Sequence, residues 1–223
     1  MKLIEKLKQT ECFRNHTSFN FGESCSIVGN SGCLLESNYG LNIDSNVDVI
    51  RFNNGSVDGF VDKVGEKSTF RILNCHFILN IDNERYYNHQ KSRFPNLDRY
   101  ALYKFSGENL IFKTDPSWEL WKKSNVLKEV EKNNNIYFFN KQFYNLGKKM
   151  NNNSEATNGF MGLLFALKHY DSIDCFGFSF YKKGTKEHYY DDVKCNPRNN
   201  HNFDTEEKWF NLLNKNNIIS IYR

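Results

Sequence analysis

Two histidines near the C-terminal end carry the side chain best suited to moving protons at neutral pH, since a free imidazole titrates at about 6.5. His188 opens the run His188-Tyr189-Tyr190-Asp191, and His201 stands five residues before Glu206. Each has an ordinary alternative. His188 can stack within its own aromatic cluster, His201 can be a loop histidine ahead of a capped helix, and Glu206 can be a first-turn acid favoured by the helix dipole. Much earlier, the segment Val28-Gly29-Asn30-Ser31-Gly32 follows a short apolar run. Glycines there let the backbone approach a ligand closely, and successive N–H groups can cradle an anion. There is no third glycine of a dinucleotide fingerprint and no Gly-Lys-Ser/Thr, so neither a Rossmann cofactor loop nor a P-loop is indicated. A second apolar run ends in Ile50-Arg51-Phe52-Asn53-Asn54. The amides of Asn30 and Asn53 suit a pyrimidine, a ribose or a phosphate.

Positioning these groups requires a sheet. Apolar runs at Ser24–Val28, 47–52, 69–73, 110–112, 136–139, 173–178 and 218–222 read as strands. Helical patterns fall between them at 117–132 and 157–169. Thr157 or Asn158 is available as N-cap of the second. Asp204-Thr205-Glu206-Glu207 opens a last helix, with Asp204 as cap and Glu207 at the reciprocal position. The polar stretch 80–97 reads as a loop or lid. Strands alternating with helices predict a single α/β domain over residues 1–223, a Rossmann-like, doubly wound and mainly parallel sheet. In such a sheet ligands bind beyond the carboxyl ends of the strands, where Asn30 and Asn53 would share an edge.

With 39% hydrophobic and 16% aromatic residues in a chain of 223, there is material for a substantial core. The net charge of +4 is spread without a basic run, which argues against a nucleic-acid binder and suits a protein that handles anionic sugar nucleotides. The N-terminus has no signal-peptide core, and the longest nearly apolar stretch, 160–167, is too short to span a bilayer. A cytoplasmic protein follows as the expectation, with peripheral association at the inner membrane face as its membrane-linked form. The six cysteines (Cys12, Cys25, Cys33, Cys75, Cys175 and Cys195) show no Cys-x-x-Cys pair and no zinc-like spacing, and read as buried thiols. No Asp-x-Asp metal motif occurs; Asp191-Asp192 is the nearest substitute and reads as a solvated turn.

Taken together, Cys25 to Gly32, Tyr39-Gly40, Ile50 to Asn53, Gly59-Phe60 and Val64 to Thr69 closely resemble the large sialyl motif of animal-type sialyltransferases, glycosyltransferase family 29. Thr157-Asn158-Gly159, Ala166-Leu167, Asp171, Ile173 and Phe176-Gly177-Phe178 look like its small motif. His188 to Asp191 resembles motif III, and His201 with Glu206 matches the very small motif. The resemblance implies a GT-A-variant fold and CMP-sialic acid as donor, with no metal and no cofactor. The acceptor implied is a glycan hydroxyl such as a terminal galactose, on protein or lipid. It places the general base at His201, with Glu206 either its orienting partner or a first-turn helix acid. His188, Tyr189 and the helix start at Thr157, Asn158 and Gly159 would meet the departing phosphate, and Asn30, Ser31 and Asn53 would hold the nucleotide. Attack opposite the phosphate would invert the anomeric centre. Two departures stand out. Tyr170 occupies the place of the small-motif cysteine that in the family pairs with the one at Cys25, and the expectation is of a protein without the family's membrane anchor and stem. Another CMP-activated acidic sugar such as Kdo, or a silent nucleotide-sugar or glycan binder, remains the alternative.

Overall fold

The computed structural model describes residues 2–14, 19–94, 97–113, 115–181, 186–194 and 201–223. Its strands are β1 (Ser24–Val28), β2 (Asp48–Phe52), β3 (Phe70–Leu73), β4 (Asn109–Phe112), β5 (Asn135–Phe138), β6 (Ser172–Phe176) and β7 (Ser220–Tyr222). They form a 7-stranded, all-parallel sheet in the order β5-β4-β3-β2-β1-β6-β7. The helices are α1 (Lys2–Gln9), α2 (Gly40–Ser45), α3 (Val61–Val64), α4 (His76–Asp82), α5 (Glu84–Arg93), α6 (Asp115–Lys123), α7 (Asn125–Val130), α8 (Lys141–Met150), α9 (Asn158–His169) and α10 (Phe203–Lys215). Short 3-10 turns occupy Gly32–Glu36 and Ala101–Lys104.

Because side chains alternate along a strand, the sheet has two apolar faces. Cys25, Ile27, Ile50, Phe52, Phe70, Ile72, Ile111, Ile173 and Cys175 share one core with α1, α8, α9 and α10. Their chain neighbours point the other way. Val28, Val49 and Phe176 pack with Leu34, Ile43, Val64 and Tyr189, while Leu73, Leu110, Phe112 and Phe138 pack with Ile78, Leu102, Val126 and Leu127. Burial on both sides is why these strands read as continuous apolar runs rather than alternating ones. α9 packs against β1, β2 and β3 and buries every residue from Phe160 to Leu167. A helix apolar all round belongs inside.

Between the two clusters of the second face, Arg51 and Arg71 stand opposite each other in the β2–β3 register, 1% and 4% exposed. Buried charges persist only when their donors are met. Arg51 donates to the carbonyls of Lys67, Val64 and Gly65, and burial lowers its pKa to about 10. Arg71 forms a bidentate pair with Glu108, 2.7 and 3.0 Å, and donates to the carbonyls of Asn53 and Gly55. The turn leaving β2 is thus tied to β3 by a guanidinium.

Several expectations change. Residues 80–97 are not a loop; they belong mostly to α4 and α5. Asn83 caps α5 through Tyr86 N, and its polar faces left no periodic apolar signal. The helix expected over 117–132 breaks at Ser124, which adopts an extended conformation and caps α7. α8 was not anticipated, although Asn140 caps it through Gln142 N. Asn202, not Asp204, caps α10, accepting from Thr205 N at 3.1 Å, because the helix begins a residue before the acidic run. Tyr170 shares the core of buried Cys25 and donates its hydroxyl to Asp48 Oδ2 at 3.0 Å, holding the end of α9 to β2. Cys12 and Cys175 are also buried, Cys33 and Cys75 are only half-buried, and Cys195 lies outside the described residues.

The junction of β1 and β6 is built on two glycines. Gly29 N donates to Phe176 O at 2.8 Å, and a Cβ on Gly29 would lie 2.3 Å from the carbonyl oxygen of Gly177. Gly177 itself has φ +72° and abuts Leu34. Gly29→Ala forces β1 and β6 apart and lowers the unfolding free energy by about 1–3 kcal/mol, read as a lower urea midpoint at constant m-value. An unchanged midpoint would show that the two strand ends are not in tight contact.

Candidate active site

Running outward from β1, the chain goes one way through β2 to β5 and the other way through β6 and β7. At such a switch point the loops after neighbouring strands diverge and leave a crevice at the carboxyl edge. Here an open cleft of about 690 Å³ is lined by Gly29, Asn30 and Ser31 after β1, Phe52 and Asn53 at the end of β2, and Gly177 to Tyr181 after β6. Thr157, Asn158 and Gly159 at the start of α9, Glu187 and His188, and Phe203 and Glu206 of α10 complete the wall.

Three carboxamides are each held at one end. Asn30 Nδ2 donates to Phe52 O at 3.0 Å. Asn158 Nδ2 donates to Ile72 O and to Asn53 Oδ1, at 3.2 and 2.9 Å. The carbonyl acceptors fix the orientation of Asn30 and Asn158, and that of Asn53 follows. Asn30 Oδ1, Asn53 Nδ2 and Asn158 Oδ1 make no hydrogen bond among the described residues. Asn53 lies in the left-handed region, φ +49°, on the turn that Arg71 grips. Ser31 spends its hydroxyl on Ser179 Oγ at 2.7 Å and accepts from Cys33 N, so it joins the β1 and β6 loops.

Thr157 caps α9 by accepting from Phe160 N at 3.0 Å. The N–H groups of Asn158 and Gly159, in the first turn, add the partial positive charge of a helix start to the cleft wall. Thr157 is in turn held by Glu206, which accepts from its N–H at 2.9 Å, its hydroxyl at 2.6 Å, and Asn151 Nδ2 at 3.0 Å. Glu206 is 3% exposed, and burial raises its pKa to about 7 against these bonds, which lower it. Lys113 lies below, buried, with Nζ on Ala156 O at 2.8 Å.

The two histidines have fixed tautomers. His188 Nδ1 lies 2.8 Å from Asp191 Oδ2, and a carboxylate can only accept. The proton is therefore on Nδ1, and Nε2 is the nitrogen with a free role. His188 also stacks on Tyr190, centroids 4.9 Å apart and planes within 5°. Asp191 is anchored through Val193 N. It was read from sequence as part of a solvated turn; instead it orients His188, a role that the three-residue spacing within a turn could have suggested. His201 Nδ1 lies 2.7 Å from Glu155 O, so it too carries its proton on Nδ1.

The site residues are not all in one place. Asn30, Ser31, Asn53, Thr157, Asn158, Gly159, His188 and Glu206 line the cleft. His201 is not among the described lining residues; it sits behind Phe203, ring centroids 5.6 Å apart. The expected pairing of Glu206 with His201 gives way to one of Glu206 with Thr157, since all three bonds to Glu206 come from residues 151 and 157. Tyr189 is displaced from the expected phosphate site. It is 3% exposed, packs on Phe60, and donates its hydroxyl to Ser56 O at 2.6 Å, supporting the cleft from beneath.

Glu206 has a consequence for stability. With a folded pKa of about 7 against an ordinary 4.5, the native state keeps a proton that the unfolded chain has released. This contribution is full below pH 4.5 and is lost as the pH rises to 7. The stability of Glu206→Gln relative to the wild type therefore rises by on the order of 3 kcal/mol across that window, measured by chemical unfolding at a series of pH values. A difference that stays flat would mean that Glu206 ionises without penalty.

Comparison with known proteins agrees with this architecture. The sequence profile described as glycosyltransferase family 29 (sialyltransferase) matches residues 1–218. Sialyltransferase-like protein 2 of Arabidopsis thaliana is 30% identical over 165 residues, 73% of this chain and 32% of that protein. A β-1,6-galactosyltransferase of the same plant is 46% identical over 55 residues, 25% of this chain and 14% of its own length. The matched regions thus span a third or less of these relatives. Among solved structures, a mammalian sialyltransferase superposes with a TM-score of 0.66 at 20% identity, covering 99% of this chain and 78% of that one. A Campylobacter jejuni sialyltransferase in complex with cytidine-5'-monophosphate gives 0.50 at 16% identity, over 92% and 80%; at these identities the likeness is one of fold. With its profile matched nearly end to end, the chain belongs to glycosyltransferase family 29, the sialyltransferase family.

Proposed function

We propose that this protein moves sialic acid from CMP-sialic acid to a sugar hydroxyl of a glycan, with inversion and without a metal ion or cofactor. The observation that carries the reading is the convergence of three tethered carboxamides, a helix start and His188 on one cleft at the switch point. Solved relatives are described as complexes with CMP and with a Gal-β-1-3-GalNAc derivative, which supports a nucleotide donor and a galactosyl acceptor.

In this reading Asn30 and Asn53 hold the nucleotide, and its phosphate meets the N–H groups of Asn158 and Gly159. His188, held through Nδ1 by Asp191, turns Nε2 to a phosphate oxygen and donates a hydrogen bond there in its protonated form as negative charge builds on the phosphate. The acceptor oxygen forms the new bond to the anomeric carbon as the bond to phosphate breaks on the opposite face. The proton of the acceptor hydroxyl passes to His201 Nε2, whose Nδ1–H is pinned on Glu155 O. For this, His201 must be reached from the cleft past Phe203. A leaving phosphate monoester, second pKa about 6, departs on such hydrogen bonds alone. That is consistent with a chain lacking an Asp-x-Asp motif.

Purified protein supplied with CMP-sialic acid releases CMP, faster with a galactose-terminated acceptor, and a chelator leaves the rate unchanged; abolition by chelator would refute the metal-free mechanism. CMP-Kdo and UDP-galactose belong in the same panel, because the curated relatives include a galactosyltransferase. Turnover with UDP-galactose alone would overturn the proposed donor. His201→Ala lowers kcat about 100-fold or more if His201 is the general base, and an undiminished kcat removes it from that role.

A further inference from the structure

Three consecutive asparagines, Asn151 to Asn153, form the turn that leaves α8. Asn152 and Asn153 are exposed and lie in the left-handed region, φ +53° and +61°, which asparagine tolerates better than most residues. The turn is closed by its own backbone: Asn151 N donates to Gly147 O, Asn153 N to Lys148 O, and Ser154 N to Asn151 O. It has no need of the Asn151 side chain, yet that residue is 0% exposed. A buried amide costs free energy unless its groups are met, and Asn151 Oδ1 meets no partner among the described residues. What this place takes from Asn151 is its NH2 group.

Both hydrogens of that group are used. Nδ2 donates to Glu206 Oε1 at 3.0 Å and to the carbonyl of Glu155 at 3.1 Å. Two oxygen acceptors at one end settle which end of the amide is nitrogen. The Glu155 carbonyl also accepts from His201 Nδ1, at 2.7 Å, so its two lone pairs go to Asn151 and His201. Residues 155 and 201 pair as a parallel bridge, and the Glu155 side chain is held on α8 by Lys148 and Tyr144. The carbonyl that sets the tautomer of His201 is thus itself aimed by Asn151. We infer that Asn151 is a positioning residue for His201, joining it to the buried Glu206 through the Glu155 carbonyl. The link suggested by the five-residue spacing of His201 and Glu206 then exists at one remove, through a residue outside the segments that resemble the sialyl motifs. The inference concerns the Nδ1 side of the ring alone; that the ring takes part in turnover rests on the transferase reading above.

Asn151→Leu keeps the volume and branching of the side chain and removes both donors. Helix α8 keeps its last backbone bond, and Thr157 keeps both of its bonds to Glu206, so the donor side of the cleft stays in place. In this variant kcat falls about tenfold while the KM values for CMP-sialic acid and for a galactose-terminated acceptor change less than about twofold. The ring nitrogens of His201, followed by 15N NMR without substrate at about pH 8, where a free imidazole is neutral, report one tautomer in the wild type, with the proton on Nδ1, and a mixture in the variant. Should Asn151→Leu fail to fold, Asn151→Ala carries the same two readouts. Asn152→Gly and Asn153→Gly, which accept the same backbone, keep the wild-type kcat and tautomer; a loss there equal to that of Asn151→Leu assigns the effect to the turn and overturns the inference. In an active wild type, anything short of both changes in Asn151→Leu overturns it as well. A change of tautomer in a protein that turns over no CMP donor sinks the transferase reading and leaves Asn151 as the residue that sets His201.

Discussion

The cleft exists because β1 and β6 end side by side with no room between them. Gly29 donates to the carbonyl of Phe176, and the space where its side chain would be is filled by the carbonyl of Gly177. The two chains stay joined as far as the Ser31–Ser179 bond and then part, one into the turn at Gly32–Glu36 and the other along Phe180 and Tyr181. From sequence, Gly29 reads as a place where backbone approaches a ligand. In the structure, the atoms it approaches closely are those of the neighbouring strand, and the side chain that this turn adds to the cleft wall is that of Asn30.

Around that seam the polar groups are arranged in supporting tiers. Arg71 reaches from β3, paired to Glu108, and holds the carbonyls of Asn53 and Gly55. Asn53 in turn accepts from Asn158 at the head of α9, and Thr157 in the same turn is clasped by Glu206 from α10. Strand β2, strand β3 and two helix starts are therefore linked by one chain of hydrogen bonds. This explains why Glu206 is buried despite a raised pKa: the donors it satisfies include an N–H at a helix cap, which would otherwise be orphaned.

The sheet was legible because strands buried on both faces leave unbroken apolar runs, and α9 because eight consecutive buried residues follow a threonine cap. α5 was not, since a helix held by its Asn83 cap and polar on its surface carries no periodic stripe. Asn202 was passed over for Asp204 because a run of acids mimics a first turn. At the site, residues on strand ends and helix caps could be placed from the pattern alone: Asn30, Asn53 and Thr157 face the cleft as topology requires. Residues in the long connection after β6 could not. Tyr189 turned inward and His201 settled behind Phe203, because there the chain follows tertiary packing rather than local periodicity. The partner of Glu206 was misjudged for the same reason. Five residues along the sequence, His201 is nearer in chain than Thr157, yet α10 docks its first turn on the head of α9.

The carboxamide pair Asn53 and Asn158 bears on selectivity. A side chain already tethered at one end has surrendered its rotamer freedom before any ligand arrives, so the entropy of ordering it is charged to folding rather than to binding. The same tether forbids the amide from flipping to suit a different partner. Were a ligand in the cleft to present a donor where Asn53 also presents one, turning the amide could not relieve the repulsion, and any discrimination would come from a rigid template.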